Sequence, residues 1–216
     1  MDPDDQREAL APYRAKRDFS RTDEPAGAPE GAAPSGPADV ALPEGVETGA
    51  FVVQEHDARR LHYDFRLEVD GVLKSWAVPR GPSTDPNAKR LAVPTEDHPL
   101  EYGGYEGVIP EGGYGAGPSL LWDRGTYINL SHDRTGAPVP MTAALAKGHL
   151  SVWLRGEKLV GGWSLTRIEN SRDGKEAWLL VKRADAAADP DSDITVQRPR
   201  SVLSGLTLDD LRRRGR

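Results

Sequence analysis

Two imidazoles, a carboxylate and a guanidinium fall within eleven residues, in His56-Asp57-Ala58-Arg59-Arg60-Leu61-His62-Tyr63-Asp64-Phe65-Arg66. Two imidazole nitrogens and one carboxylate oxygen suit a borderline divalent cation such as manganese, iron or zinc. An adjacent arginine suits a phosphate or carboxylate group carried on that cation. A His-x-Asp pair alone marks nothing, because polar residues on the outer face of a strand are common. The chain has five histidines, however, and two of them, His56 and His62, share a nine-residue stretch with Asp64. His132 and His149 have no other ligand types around them and read as ordinary.

The elements that must position this group are strands. From Leu61 to Val69 the residues alternate: Leu61, Tyr63, Phe65, Leu67 and Val69 share one parity, and His62, Asp64, Arg66 and Glu68 the other. A period of two places these sets on opposite faces of a pleat, with neighbours on a face about 6.6 Å apart. One face supplies an apolar core and the other the candidate ligands, and His56 returns a second imidazole to the same place. Asp70-Gly71 suits the two-residue hairpin turn, so Val72 to Val78 runs back antiparallel. Further runs at Phe51–Gln54, Arg90–Val93, Ser119–Trp122, His149–Arg155, Trp163–Arg167 and Ala177–Lys182 bring the total to about eight strands. The expected fold is all-β, a compact antiparallel barrel with short flanking helices, since closure removes exposed strand edges. Met141–Lys147 is a helix candidate stopped by Gly148, and Thr207 an N-cap for a C-terminal helix ending in Arg212, Arg213 and Arg214. That basic end reads as a solvated helix rather than a nucleic-acid contact.

Between Pro25 and Val46, five prolines and four glycines with almost no large apolar side chain mark an extended or disordered linker. Residues 1–50 are therefore expected to be an arm and linker, 51–185 the barrel, and 186–216 a tail carrying the short basic helix. The seven glycines from Gly103 to Gly117 lack a following Gly-Lys-Ser/Thr, so they are read as turns bringing a loop near the site, not as a phosphate cradle. No apolar run is long enough to span a membrane, and there is no cysteine for a disulfide or a thiolate metal site. The net charge of −6 argues against a generic nucleic-acid coat. Between Gln54 and Arg90, seven basic residues stand against six acidic ones, so the site region is locally less acidic than the whole. Glu96-Asp97-His98-Pro99-Leu100-Glu101-Tyr102 supplies a further imidazole from a loop, fixed as extended by the proline, and a phenol four residues on.

Several motifs, in order, resemble the 3′-phosphoesterase domain of bacterial DNA ligase D. They are Gln54 to Glu68, Leu73-Lys74-Ser75-Trp76-Ala77-Val78-Pro79-Arg80-Gly81-Pro82-Ser83, Lys89 to Val93, Glu96 to Tyr102, and Glu106 to Gly117. Lys158 to Trp163 and Trp178 to Lys182 extend the likeness, and Lys16 to Pro25 is similar to the family's N-terminal arm. The resemblance implies a β-barrel enzyme that trims blocked 3′ ends during end joining. It would remove a 3′-terminal ribonucleoside and then the 3′-phosphate, usually with manganese. By resemblance the metal ligands are His56, His62 and Asp64, and the phosphate contacts Arg66, His98 and Tyr102, with Glu96 beside them at the catalytic centre. Arg17, Gln54, Arg80 (a lysine in many relatives) and Arg90 would serve phosphate or DNA, and Asp18 and Glu24 would support them. The implied partners are DNA or DNA/RNA 3′ ends, a separate ligase and a polymerase, for a cytoplasmic, nucleoid-associated monomer. The sequence departs from the family in a longer linker after Glu24 and in Pro94 and Pro118, which stand where relatives carry strand residues. It also ends just past Ser201–Gly205, where larger relatives continue, and so reads as a stand-alone version. Two rivals stay open: a non-haem iron dioxygenase with His149 as the distal histidine, and a non-catalytic end-binding module that recruits a ligase.

Overall fold

The computed structural model describes residues 3–27, 46–168, 174 and 176–214. Most of the linker expected between Pro25 and Val46 lies outside these residues. Nine strands form one antiparallel sheet: β1 (Thr48–Asp57), β2 (Leu61–Val69), β3 (Val72–Val78), β4 (Arg90–Pro94), β5 (Gly107–Ile109), β6 (Gly117–Asn129), β7 (His149–Gly156), β8 (Val160–Ile168) and β9 (Ala177–Lys182). The neighbours run β1-β2-β3-β4-β9-β8-β7-β6, and β1 also pairs with β6, which closes eight strands into a barrel. The ninth strand, β5, adds only to the start of β6.

The expected alternation is realised on β1 and β2. Phe51, Val53, Tyr63, Phe65, Leu67 and Val69 enter the main apolar cluster inside the barrel, together with Trp122, Leu150, Trp163 and Leu180. A second, smaller cluster lies on the other side of the wall. Val52, Leu73 and Leu121 point outward there, against Tyr13, Leu100, Tyr102, Tyr105 and Ile109. Tyr13 belongs to α2 (Ala11–Ala15), which follows α1 (Pro3–Ala9), and Leu100 and Tyr102 to a 3-10 helix, Leu100–Gly104. The outer face of β1–β2–β3 is thus roofed by the N-terminal arm and this helix, not open to solvent.

Two elements run beyond their expected limits. The strand expected at Ser119–Trp122 extends to Asn129, through Asp123-Arg124-Gly125, whose residue types suit a turn. Gly125 is needed there because a Cβ would come 2.1 Å from the Arg155 carbonyl oxygen on β7. The three-residue β5 forms inside the glycine-rich stretch that had read as pure connection. Pro94 is the last residue of β4, opposite Trp76, and Pro118 the second of β6, opposite Val108. Both occupy strand ends, where a missing N–H is tolerated.

The hairpin turn has Asp70 at φ 50° and Gly71 at φ 71°. Helix α3 (Met141–Lys147) ends before Gly148. Two more short helices follow the barrel, α4 (Ile194–Gln197) and α5 (Leu208–Arg214). Thr207 and Asp210 cap α5 reciprocally, each side chain accepting the other's backbone N–H. This helix is not wholly solvated as its charges suggested: Leu208 and Leu211 are buried in the main cluster, and Arg212 pairs with Asp57 and Asp209.

Candidate metal and phosphate site

The hairpin register assembles the ligand group. His56 lies directly opposite His62 across β1 and β2, and Gln54 opposite Asp64. Residues of matching parity thus share the outer face, and the two imidazole centroids stand 4.9 Å apart. Ligand atoms of His56, His62 and Asp64 all lie within 4.8 Å of one another, the one such group of three among the described residues.

Backbone carbonyls set which nitrogens face the centre. His56 Nε2–H donates to the Gly115 carbonyl at 2.7 Å, and His62 Nδ1–H to the Arg60 carbonyl at 2.9 Å. A carbonyl only accepts, so each contact fixes a proton on that nitrogen. His56 Nδ1 and His62 Nε2 are left facing Asp64, at 3.8 and 3.5 Å. Such carbonyl-oriented imidazoles are the usual support of metal-ligating histidines. Gly115 sits at φ +75°, and a Cβ there would crowd His56 Cε1 at 3.2 Å, so glycine permits this loop to reach the ring. Burial alone would raise the Asp64 pKa, but the Arg66 charge and the adjacent His56 and His62 rings hold it well below the usual carboxylate range. Burial opposes a charge on His62, yet its contact with Asp64 outweighs this and raises its proton affinity. A cation on these three atoms would replace that proton. The donor set, its fixed tautomers and its ionised carboxylate fit a divalent metal.

Arg66 leads from this group to a second one. It is only 2 % exposed, and every side of the guanidinium is engaged. It donates to Gln54 Oε1 (2.8 Å), Ser75 Oγ (2.7 Å) and Asp64 Oδ2 (3.0 Å), meets His98 Nδ1 at 2.9 Å, and lies 5.0 Å from the Tyr102 ring centroid. Arg17 closes the other side of His98, with Nη2 at 3.4 Å from Nε2, and is itself held by Glu24 (2.8 Å) and Glu96 (3.2 Å). His98 itself is enclosed rather than exposed on its loop. It is buried, because its backbone bridges to Leu73 of β3 and its ring packs 5.0 Å from Tyr13. Burial, then the charges of Arg66 and Arg17, hold its pKa well below that of an ordinary histidine. The free protein carries it neutral.

A crevice of about 690 Å³ opens over both groups. Its lining includes His56, His62, Asp64, Arg66, Glu96, His98, Tyr102 and Arg17, with Arg59 and Arg60 on the β1–β2 turn. Other residues named from the sequence lie elsewhere. Gln54 is fully buried beneath Arg66, and its amide donates to the Tyr102 and Tyr105 carbonyls, so it orients Arg66 and meets no solvent. Arg80 and Arg90 do not line the crevice: Arg80 is exposed after β3, and Arg90 lies on β4 opposite Leu180. Asp18 accepts the backbone N–H and hydroxyl of Ser20, forming a local turn rather than supporting an arginine. Tyr102 is buried and its hydroxyl donates to Glu24, which holds the arm to the barrel. His149 bonds Thr166 at an exposed strand start and lines a different groove, so the dioxygenase triad is not assembled.

Sequence reasoning missed Tyr13, Lys16, Ser75, Tyr114 and Gly115. Ser75 follows from the alternation, since it pairs opposite Arg66 on β3. The others come from segments far away in sequence, where no periodic signal exists.

The family model for the DNA Ligase D 3′-phosphoesterase domain matches residues 54–167. The multifunctional non-homologous end joining protein LigD of Pseudomonas aeruginosa is 49% identical over 203 residues, covering 92% of this chain and 22% of that protein. The multifunctional non-homologous end joining DNA repair protein LigD of Mycobacterium tuberculosis is 43% identical over 164 residues, 76% of this chain and 19% of its own length. LigD of Mycolicibacterium smegmatis is 40% identical over 177 residues, 82% and 21% respectively. The chain thus spans about a fifth of the length of these curated relatives.

Proposed function

The chain belongs to the DNA ligase D 3′-phosphoesterase domain family, and we propose that it is a metal-dependent hydrolase of DNA 3′ ends. In this reading it removes a 3′-terminal ribonucleoside by phosphodiester cleavage, then the remaining 3′-phosphate, leaving a hydroxyl for a ligase or polymerase. The relatives' role in end joining supports the substrate class. One observation carries the chemistry: the three ligand atoms open into the same crevice as the Arg66–His98–Arg17 group.

His56, His62 and Asp64 would hold a divalent cation, manganese in this proposal, which would supply Lewis acidity toward a phosphate oxygen and water. The chain's own groups do the rest. Arg17, and the one Arg66 N–H left after its contacts to Gln54, Ser75, His98 and Asp64, would donate to the remaining phosphate oxygens, each charge-assisted contact being worth about 1.5–3 kcal/mol. Glu24, Glu96, Gln54 and Tyr13 hold those arginines in place before substrate arrives, so little reorganisation accompanies charge development. Neutral His98 lies between them as a hydrogen-bond partner for the phosphate. Phosphate charge beside it raises its proton affinity, so any proton it gives the departing oxygen is acquired in the complex.

Water is the nucleophile in this reading. Ser75 Oγ is 3.4 Å from His98, but it is buried, donates to the Leu73 carbonyl and accepts from Arg66. The region is locally positive enough to grip one end, within a chain of net charge −6 that does not coat duplex. No helix among the described residues is long and apolar enough to cross a membrane. We propose a monomer working in the nucleoid with a ligase and a polymerase.

The test is incubation of a labelled, recessed primer ending in one ribonucleotide, with manganese, resolving products by size and end group. Loss of the nucleoside followed by conversion of 3′-phosphate to 3′-hydroxyl is expected. An unchanged primer across manganese, zinc, iron and cobalt would overturn the proposal.

A further inference from the structure

Tyr114 is the one tyrosine of six that stands in solvent. Tyr13, Tyr63, Tyr102, Tyr105 and Tyr127 are buried, whereas Tyr114 is 50 % exposed. It rides on the loop from Pro110 to Ala116, next to Gly115, whose carbonyl orients the His56 ring. Its hydroxyl accepts from Lys16 Nζ at 3.3 Å, and that ammonium lies 4.6 Å from the ring centroid. Lys16 is held in turn by Glu96 at 2.9 Å. Arg17 Cζ is 5.6 Å from the same centroid, and its guanidinium also touches His98. The aromatic ring is therefore one side chain away from the phosphate group and forms part of the crevice wall.

We propose that Tyr114 is the platform on which the base of the terminal nucleotide stacks, a positioning residue that sets the end against Arg66, Arg17 and His98. This rests on the reading of the crevice as a 3′-end site. Three observations support it. An exposed ring with the Lys16 ammonium 4.6 Å and the Arg17 guanidinium carbon 5.6 Å from its centroid is oriented by cation–π contacts that need no hydroxyl. A base is a flat π-system that stacks on tyrosine whatever its identity, which suits an enzyme that must accept any terminal sequence. Arg59 and Arg60, exposed on the β1–β2 turn and in no ion pair among the described residues, are free to take backbone phosphates.

The test compares two 3′-phosphate primers, one ending in a normal nucleotide and one in an abasic residue, with the full chain in manganese. Tyr114→Ala is expected to raise KM about tenfold on the normal end, equivalent to about 1.4 kcal/mol, and to leave KM on the abasic end unchanged. Tyr114→Phe and Tyr114→Trp should behave as wild type on both ends. Equal loss on the two ends, no loss on either, or failure of Tyr114→Phe to match wild type would overturn the stacking role. If wild-type protein turned over neither end, the hydrolase reading would fall by itself. Anisotropy binding of the same two primers would then decide the platform, since Tyr114→Ala must weaken only the end that carries a base.

Discussion

Adjacent residues of β1 lead into two different pools of buried charge. His56 points outward to Asp64, Arg66, His98 and Arg17; Glu55 points inward to Tyr63, Lys158 and the neighbourhood of Asp123. The inner pool is closed by its own protein. Asp123 accepts the N–H groups of Lys158 (3.0 Å) and Leu159 (2.7 Å). Lys158 Nζ donates to the Arg198 and Arg200 carbonyls and lies 4.3 Å from the Trp122 ring. In the outer pool the ligand atoms of His56, His62 and Asp64 converge at the crevice, with Arg66 and Arg17 along its wall. Burial of charge is common to both, so burial does not mark a site. What differs is that the outer pool opens onto a solvent crevice, where its three ligand atoms and its arginines can reach a bound group.

The sharpest way to break this contrast is at His62. His62→Ala should abolish turnover by at least about a thousandfold, roughly 4 kcal/mol of transition-state stabilisation, with little change in thermal midpoint because His62 packs at the crevice edge. Near-wild-type turnover in added manganese would refute the metal assignment.

Arg66→Ala should damage both activity and stability. It strands Asp64, Gln54 and Ser75 in a buried setting, a loss of about 3–5 kcal/mol readable by denaturant unfolding. Arg66→Lys should not restore turnover, because an ammonium cannot reproduce the four-sided contact. Full activity of Arg66→Lys would show that the guanidinium geometry is unimportant.

On the inner side, Asp123→Ala should cost about 1–3 kcal/mol for each stranded N–H while leaving KM and turnover number unaltered. The pH dependence has opposite signs for its two ions. Burial, opposed by its hydrogen bonds, raises the Asp123 pKa to about 6. The folded state then holds a proton that the unfolded chain has released, and this group's contribution to stability falls as pH rises from about 3.8 to 6. Burial lowers the Lys158 pKa to about 8. The folded state releases that proton first, so the Lys158 contribution rises between about pH 8 and 10.5. Unfolding free energies of wild type minus Lys158→Met should climb across that upper window, and a flat difference would contradict the shift.

The smallest effect is expected at the rim. Arg59→Ala and Arg60→Ala should each raise KM a fewfold and reduce the dependence of log affinity on log salt by about one. An unchanged salt slope would remove them from the DNA path.

Much of the outer site was legible in the chain because strand alternation is local. Leu61 to Val69 states its own faces, and His56 opposite His62 follows from the three-residue turn at Ala58-Arg59-Arg60. The barrel class followed from the repeated short strands, and α3 from Met141–Lys147 with its terminal glycine. What the sequence could not state was the roof. Tyr13 reaches the site from an arm some eighty residues away in sequence from His98, and nothing periodic announces the contact; Arg17 on the same arm was named only through the family resemblance. His98, named as a phosphate contact by resemblance, is buried because its backbone bridges to Leu73, a pairing no local pattern announces. Arg80 and Arg90, named by resemblance, lie outside the crevice, and Gln54 works from beneath it.

The most direct test of the central claim is anomalous diffraction at the manganese edge from crystals grown with that ion, with calorimetric stoichiometry measured alongside. The account predicts one cation per chain, bonded to His56 Nδ1, His62 Nε2 and an Asp64 carboxylate oxygen. A cation bound elsewhere, or none at saturating manganese, would contradict it.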